Sequence, residues 1–242
     1  MTGRLLVRGM LVGLLAGLLA FGFAKIFGEP QVDRAIAFEE SMAHMHGDAE
    51  EPELVSREVQ STFGLLTGVV VYSVSLGGIF ALVFAYSLGR IGKVGPRGLS
   101  ALLALAAFFV LIVVPELKYP ANPPSVGNPD TIGLRTKVFF MMLLVSVVAA
   151  VIAINAARKI IANAGPWAGV ISGAALYIVI VAVVASLFPT INEVPETFSA
   201  DVLWKFRTSS LGIQLVLWTT LGLVFGPVAE RLLQPRHAFA HA

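Results

Sequence analysis

Six long runs of apolar residues dominate this sequence and limit the folds that it can adopt. The runs are 5–27, 63–89, 99–115, 138–155, 167–188 and 209–229. A helix needs about 20 apolar residues to cross the core of a bilayer, and barrel strands would alternate in polarity, which these runs do not. The sequence predicts an all-α integral membrane protein, with about six transmembrane helices in one domain, 1–242. Because the third run is short, a five-span alternative with that run re-entrant stays open.

The composition agrees with a membrane protein and excludes several other classes. Hydrophobic residues make up 57% of the chain and charged residues 13%, whereas soluble domains carry about 25% charged residues. The chain has no cysteine, which excludes a disulfide and a thiolate metal site. Its net charge of +2 is too small to indicate a nucleic-acid partner.

The charged residues also predict how the chain is oriented in the lipid bilayer. Lys and Arg are concentrated near the termini and in the short second and fourth loops between the runs. The first, third and fifth loops hold nearly all of the 15 acidic residues. Short cytoplasmic loops are enriched in Lys and Arg, so we expect both termini in the cytoplasm and the acidic loops outside. No ionisable residue lies deep inside a run, which argues against a proton-coupled carrier with a mid-membrane carboxylate.

Small residues recur at four-residue spacing in two of the runs, a pattern that lets helix backbones approach closely. The helix-packing candidates are Gly9, Gly13, Gly17, Gly165, Gly169 and Gly173. In the last run Arg207, Ser210 and Gln214 fall on one helical face. This polar stripe either lines a path or packs against another helix.

The acidic extracytoplasmic loop 28–60 contains the first candidate metal ligands, Glu39, Glu40, His44 and His46. If 31–44 is helical, Glu40 and His44 lie one turn apart on one face. In an extended chain His44 and His46 would share a side instead. Imidazole and carboxylate together suit divalent cobalt, nickel, zinc or copper. The alternative is a solvated loop whose charge only raises the local cation concentration.

Two further extracytoplasmic loops offer oxygen ligands. The segment 116–136 is rich in Pro and Gly, which excludes regular helix over its proline-dense part. It contains Asn122, and the third loop, 189–196, contains Asn192 and Glu193. These side chains are metal-ligand candidates, although Asn and Glu are also ordinary helix-capping residues.

Several segments carry a resemblance to a known family. They are RAIAFEE at 34–40, ELVSREVQST at 53–62, LKYPANPP at 117–124, Gly127 with TIG at 131–133, NEVP at 192–195, LWKFR at 203–207 and SLG at 210–212. In this order they resemble the CbtA family, predicted cobalt transporter subunits of bacteria. The segments span nearly the whole chain, and the KYPANPP string is the most distinctive of them.

The resemblance implies one part of a cobalt uptake system in the bacterial inner membrane, linked to cobalamin synthesis. It also implies a partner, CbtB, a short one-helix protein with histidines near its end. Family members often carry histidines between the FEE and LVSR segments, where this chain has His44 and His46. We therefore expect transported Co²⁺ as substrate and no permanently bound cofactor.

The sequence leaves two alternatives open: a nickel, zinc or copper permease subunit, and a membrane scaffold that transports nothing. The chain has no phosphate-binding loop of the Gly-x-x-x-x-Gly-Lys type and no His-Glu-x-x-His motif. We therefore expect that the protein is not an enzyme and that any ATP-driven step needs another protein.

Overall fold

The computed structural model describes residues 1–46, 55–92 and 94–233, and these residues form helices and no strand. The α-helices are α1 Thr2–Phe23, α2 Glu29–His46, α3 Arg57–Val59, α4 Leu65–Ser87, α5 Pro96–Ala107, α6 Val114–Lys118, α7 Ile132–Leu187 and α8 Ala200–Leu233. π-Helical turns join α1 to α2 (Ala24–Gly28), α3 to α4 (Gln60–Gly64) and α5 to α6 (Phe108–Val113). A short 3₁₀ turn, Pro129–Thr131, precedes α7.

Five helical stretches of the described chain are long and apolar enough to cross a membrane. They are Thr2–Met45, Arg57–Ser87, Pro96–Lys118, Pro129–Leu187 and Ala200–Leu233. The predicted class, an all-α protein with several membrane-spanning helices, is confirmed. The third apolar run lies within a stretch of 23 residues, so its length does not require a re-entrant segment.

The longest stretch is interrupted at Gly165, where the backbone has φ +86° and ψ 168°. An unbroken helix over the 56 residues of α7 would be about 84 Å long, far more than the roughly 30 Å core of a bilayer. A Cβ at Gly173 would lie 2.8 Å from Cβ of Ala157 and 3.2 Å from the Ala153 carbonyl oxygen. The limb after Gly165 therefore runs back along the limb before it.

Gly165 thus differs from the role predicted for it. Among the described residues, none beyond its own neighbours along the chain lies within 4 Å of the position that its Cβ would take, so it makes no close contact with another helix. Its positive φ is a conformation that L side chains rarely adopt, and Pro166 follows it directly. Gly165 forms the turn between the two limbs, whereas Gly169 and Gly173 lie at their contact.

The core of the bundle lies among α1, α4, α5 and α8. Cβ atoms at Gly9 and Gly13 would collide with the backbone carbonyls of Gly77 and Ser73, so α1 and α4 are in backbone contact along this stripe. On the other side, α5 and α8 are joined by the buried Ser100 hydroxyl, which donates to the Gly222 carbonyl at 2.8 Å.

Aromatic rings fill the space between α4 and α8. The ring centroids of Phe84 and Phe225 lie 5.1 Å apart, and those of Phe80 and Trp218 lie 6.4 Å apart. Edge-to-face contacts of this kind stabilise packing beyond simple area burial. Because α1, α4, α5 and α8 are held in this way, the polar segments at the end of the bundle have a rigid base.

Three polar segments meet at one end of the bundle, opposite the end that holds Thr2 and Leu233. We call them the cap: α2, residues 119–131 and residues 188–199. Ala35, Val126 and Phe198, one from each segment, form a small buried cluster. The Ser125 hydroxyl donates to the Ala35 carbonyl at 3.0 Å, which joins two of the segments directly.

The structure shows which parts of the expected acidic loop are helical. The acidic segment is helical over Glu29–His46 and continues the first spanning helix through the π-turn at Ala24–Gly28. The sequence explains this, because Ala, Glu and Met are strong helix formers and proline occurs only at the start of α2. Residues 47–54 of the expected loop lie outside the described residues.

The proline-rich segment is also partly helical. α6 extends to Lys118, although Pro115 has no backbone N–H to donate. The π-turn Phe108–Val113 directly before α6 changes the hydrogen-bonding register at this point. Non-helical backbone is confined to residues 119–128, and α7 begins at Ile132.

Candidate functional site

The acidic surface of α2 carries Glu39, Glu40 and His44, all of them exposed. Because 31–44 is helical, Glu40 and His44 lie one turn apart on the same face, as the sequence predicts for the helical case. The condition for the alternative, an extended chain at His44, is not met, because α2 continues through residue 46.

This surface does not form a complete metal centre within the described residues. They contain no group of three or more His, Asp or Glu residues placed to hold one metal ion. Four more acidic residues of the expected loop, Asp48, Glu50, Glu51 and Glu53, lie outside the described residues. On α2 itself the arrangement offers a carboxylate and an imidazole at helical spacing, two residue types that can bind divalent metal ions.

Other acidic residues of α2 have a structural role. Arg57 pairs with Glu29 and with Asp33, its Nη2 lying 2.9 Å from Oδ1 of Asp33. Nearby, Nζ of Lys25 donates to the Ser61 carbonyl at 3.1 Å and to the Ser61 hydroxyl at 3.0 Å. These bonds hold the start of α2 against the beginning of the second spanning stretch, and Glu29 and Asp33 share the positive charge of Arg57.

A cavity of about 560 Å³ lies within the cap. We call it the cap cavity. It is lined by Tyr119, Pro120, Asn122, Pro123, Pro124, Val126, Arg135, Thr136, Phe139, Phe140, Ile191, Asn192, Glu193, Val194 and Arg207. The structure thus brings together Asn122, Asn192 and Glu193, three of the predicted ligands, although they come from two different loops.

Glu193 is held by the other loop. Its Oε2 accepts a hydrogen bond from the Asn128 backbone N–H at 2.7 Å and lies 3.4 Å from Nε of Arg135. The Thr131 hydroxyl, then the Asn128 N–H and then Arg135 lower the pKa of the Glu193 carboxyl below its ordinary value. The carboxylate is therefore ionised, but its charge is already matched by groups of the cap.

Asn122 is also engaged. Its Oδ1 accepts a hydrogen bond from Nη2 of Arg207 at 2.8 Å, and Nε of Arg207 donates to the Ala121 carbonyl at 3.2 Å. Asn192, by contrast, is exposed at the cavity wall. Among the three predicted ligands in the cap cavity, Asn122 and Glu193 are thus the anchoring points of two arginines.

Arg135 and Arg207 are the residues that the sequence analysis did not assign to the site. Both lie near the start of an apolar helix, and Arg207 is part of the polar stripe on the last run. An arginine this close to an apolar run is a signal for a partner in an adjacent loop, because a guanidinium is costly to bury unpaired. The sequence did not show that both partners lie in one cavity.

Tyr119 closes one edge of the cavity. Its hydroxyl donates to the Pro189 carbonyl at 2.8 Å and so connects the proline-rich loop to the third loop. Burial raises the pKa of the Tyr119 hydroxyl above its ordinary value. The cap is therefore connected by hydrogen bonds on both sides of the cavity.

The comparison with protein families matches this chain over nearly its whole length. The model of the CbtA family, described as "Probable cobalt transporter subunit (CbtA)", matches residues 2–230. Comparison with curated proteins and with solved structures gives no significant match. The match covers the first four apolar stretches, the fifth as far as residue 230, and the cap, so the chain is a multi-pass membrane protein that belongs to the CbtA family of probable cobalt transporter subunits.

Proposed function

We propose that this protein is the membrane subunit of a cobalt uptake transporter and that it collects the cation at its cap. The single observation that carries the proposal is the family match over residues 2–230, which covers the spanning helices and the cap together. The five apolar stretches supply a membrane bundle for the path. The carboxylate and imidazole side chains on α2 supply cobalt-compatible ligands at its end.

We propose six crossings, with the longest stretch counted as two. The support is the turn at Gly165 and the contact of Gly173 with Ala157, since each limb of α7 is then long enough to cross a bilayer. With six crossings both termini lie on one side. The basic residues near that side favour the cytoplasm of a bacterial inner membrane. They are Arg4, Arg8, Arg90, Arg97, Arg158, Lys159 and Arg231.

The cap then faces outward, and α2 is the first part of the protein that an incoming cation meets. Glu40 and His44 would bind the cation together, with Glu39 and His46 nearby on the helix. Exposed carboxylates here would also raise the local concentration of cations by their field. Stripping water from a divalent ion is the main barrier to transport, so ligands at the access point offset part of that cost.

Asn122, Asn192 and Glu193 remain proposed ligands for the later step, in which the ion leaves the surface. Glu193 would have to exchange its bonds with Asn128 and Arg135 for the metal, and Asn122 its bond with Arg207. Such an exchange would couple metal binding to an opening of the cap. The competing hypothesis is that these three residues act in transport without contacting the metal.

The family description as a subunit implies at least one further protein in the transporter. We propose a small one-helix partner with histidines, similar to CbtB. Such a partner would supply ligands that the described part of this chain does not gather into one centre.

The test is metal accumulation in a bacterial strain that lacks its own cobalt importers. Cells expressing this chain alone, or this chain with its presumed partner, are grown in trace cobalt, and cellular cobalt, nickel, zinc and copper are measured by elemental analysis. A rise in cobalt alone is the expected result. A rise in another metal would reassign the substrate, and no change in any metal, with the protein present in the membrane, would favour a scaffold role.

A further inference from the structure

The described walls of the cap cavity carry a positive charge, which a bare divalent cation would not favour. They contain two arginines, Arg135 and Arg207, and one carboxylate, Glu193. That carboxylate is already bonded to the Asn128 N–H and lies beside Arg135. One cationic charge is therefore left over in a partly enclosed space, and such a site attracts an anion.

The two arginines are held in place, and Arg207 keeps a donor available. Nε and Nη2 of Arg207 bond to Ala121 and Asn122, and within the described residues its Nη1 has no hydrogen-bond partner. Nη2 of Arg135 donates to the Asn128 carbonyl at 3.2 Å, and its buried Nε faces Glu193 at 3.4 Å, so Arg135 contributes mainly its charge. A fixed guanidinium group with a spare N–H donor beside a second guanidinium group suits a carboxylate.

Gly127 explains how Arg135 keeps this position. A Cβ at Gly127 would collide with the Arg135 guanidinium, and the backbone there has φ +128°. The loop therefore turns closely around the guanidinium, which only glycine permits. This close fit holds Arg135 at the wall of the cavity.

The remaining lining sets the size and polarity of the ligand. The volume of about 560 Å³ is within the range of small-molecule sites, and a single inorganic oxyanion would fill little of it. Phe139, Phe140 and Ile191 contribute apolar side chains to the lining. The lining therefore suits an organic anion that has a carbon skeleton and more than one carboxylate.

We propose that the cap cavity binds a small organic polycarboxylate through Arg135 and Arg207. The ligand would be either the free polycarboxylate or its anionic complex with the transported metal. This inference goes beyond the proposed function, because binding of the metal-free anion requires no transport. If the ligand is the metal complex, the order of events also changes. The metal would then reach the cavity as a complex and would exchange from that complex to the protein.

The test uses the purified full chain in detergent and radiolabelled citrate as the probe. Equilibrium dialysis at constant ionic strength measures citrate alone in one arm and the cobalt–citrate complex in the other. Saturable binding is expected, at least ten-fold tighter than binding of sulfate. Arg135→Gln and Arg207→Gln should each weaken binding at least ten-fold, whereas Arg97→Gln, at the opposite end of the bundle, should not change it.

A second measurement on the unaltered protein covers the case in which a variant fails to fold. Phenylglyoxal modifies accessible arginines, and mass spectrometry gives the rate at each site. Citrate should slow modification of Arg135 and Arg207 but not of Arg97. Absence of saturable citrate binding in both arms, or equal protection of Arg97, would overturn the proposal. Neither result would argue against cobalt uptake, which is measured separately in cells. Tighter binding of the complex than of free citrate would identify the metal complex as the ligand.

Discussion

The Asn128 backbone N–H donates a hydrogen bond to Oε2 of Glu193 at 2.7 Å, across the boundary between the second and third polar segments of the cap. This bond, with Arg135 beside it, closes the loops over the cap cavity. It shows that Glu193, a metal-ligand candidate by its sequence, already has a structural partner. Metal binding by Glu193 would therefore require that this contact between the loops opens.

Replacing Glu193 tests this closure through its pH dependence. Because the pKa of Glu193 is lowered in the folded protein, its contribution to stability is fully present above the ordinary glutamate pKa of about 4.3 and is lost as the pH falls through the folded pKa. Glu193→Gln should therefore lower Tm by a constant amount between about pH 6 and 8, and the difference should shrink below about pH 4.

Thermal unfolding in detergent across this pH range is the measurement. Glu196→Gln, an exposed carboxylate of the same loop, is the matched control and should leave Tm unchanged at every pH. A difference for Glu193→Gln that varies between pH 6 and 8 would show that another titrating group controls the cap.

The contact between α1 and α4 predicts sensitivity to a single methyl group. A Cβ at Gly13 would collide with the Ser73 carbonyl, and backbone atoms cannot move aside as a flexible side chain does. Gly13→Ala should therefore destabilise the bundle by about 1–3 kcal/mol. Gly22→Ala is the control, because nothing lies within 4 Å of a Cβ there. Equal Tm values for the two variants would contradict the close helix contact.

The turn at Gly165 predicts the side on which flanking residues are accessible. The chain has no cysteine, so a single introduced cysteine is labelled without background. Asn163→Cys lies just before the turn and Thr190→Cys just after α7, and both positions are exposed. With six crossings, an impermeant thiol reagent added to intact spheroplasts should label the Thr190→Cys variant and not the Asn163→Cys variant. Labelling of both from outside would contradict the six-crossing arrangement.

The ligand pair on α2 predicts a loss of uptake without a loss of protein. Glu40→Ala and His44→Ala should each lower the initial rate of cobalt uptake several-fold at limiting cobalt, because each removes one of two ligands at helical spacing. Asp201→Ala removes an exposed carboxylate elsewhere on the bundle and is the matched control. Membrane abundance is measured for all three variants by immunoblot. Unchanged uptake in both α2 variants would exclude this pair as the collecting site.

The sequence predicts the bundle well because crossing a bilayer requires long apolar helices, and such runs are visible in one dimension. The separation of runs 138–155 and 167–188 already indicates a break, and the structure locates it at Gly165. The continuation of the first helix as α2 was less visible, since its charged residues suggest a loop. Its helix-forming composition was the better guide.

The cap was harder to predict than the bundle. Asn128 and Glu193 are 65 residues apart, and Asn122 and Arg207 are 85 apart. Pairing between irregular segments at such separations has no periodic signal in a single sequence. Residue type alone indicates the side-chain oxygens of Asn122 and Glu193 as candidate metal ligands. It could not show that Arg207 bonds to the first and that Arg135 lies beside the second.

The most direct test of the central claim is the initial rate of radiolabelled cobalt uptake in cells that lack their own cobalt importers. The chain is expressed with its presumed partner, and excess unlabelled cobalt, nickel or zinc is added as competitor. We predict uptake that depends on the chain and is reduced most strongly by unlabelled cobalt. Uptake equal to that of cells without the chain, with the protein confirmed in the membrane, would contradict a role in cobalt transport.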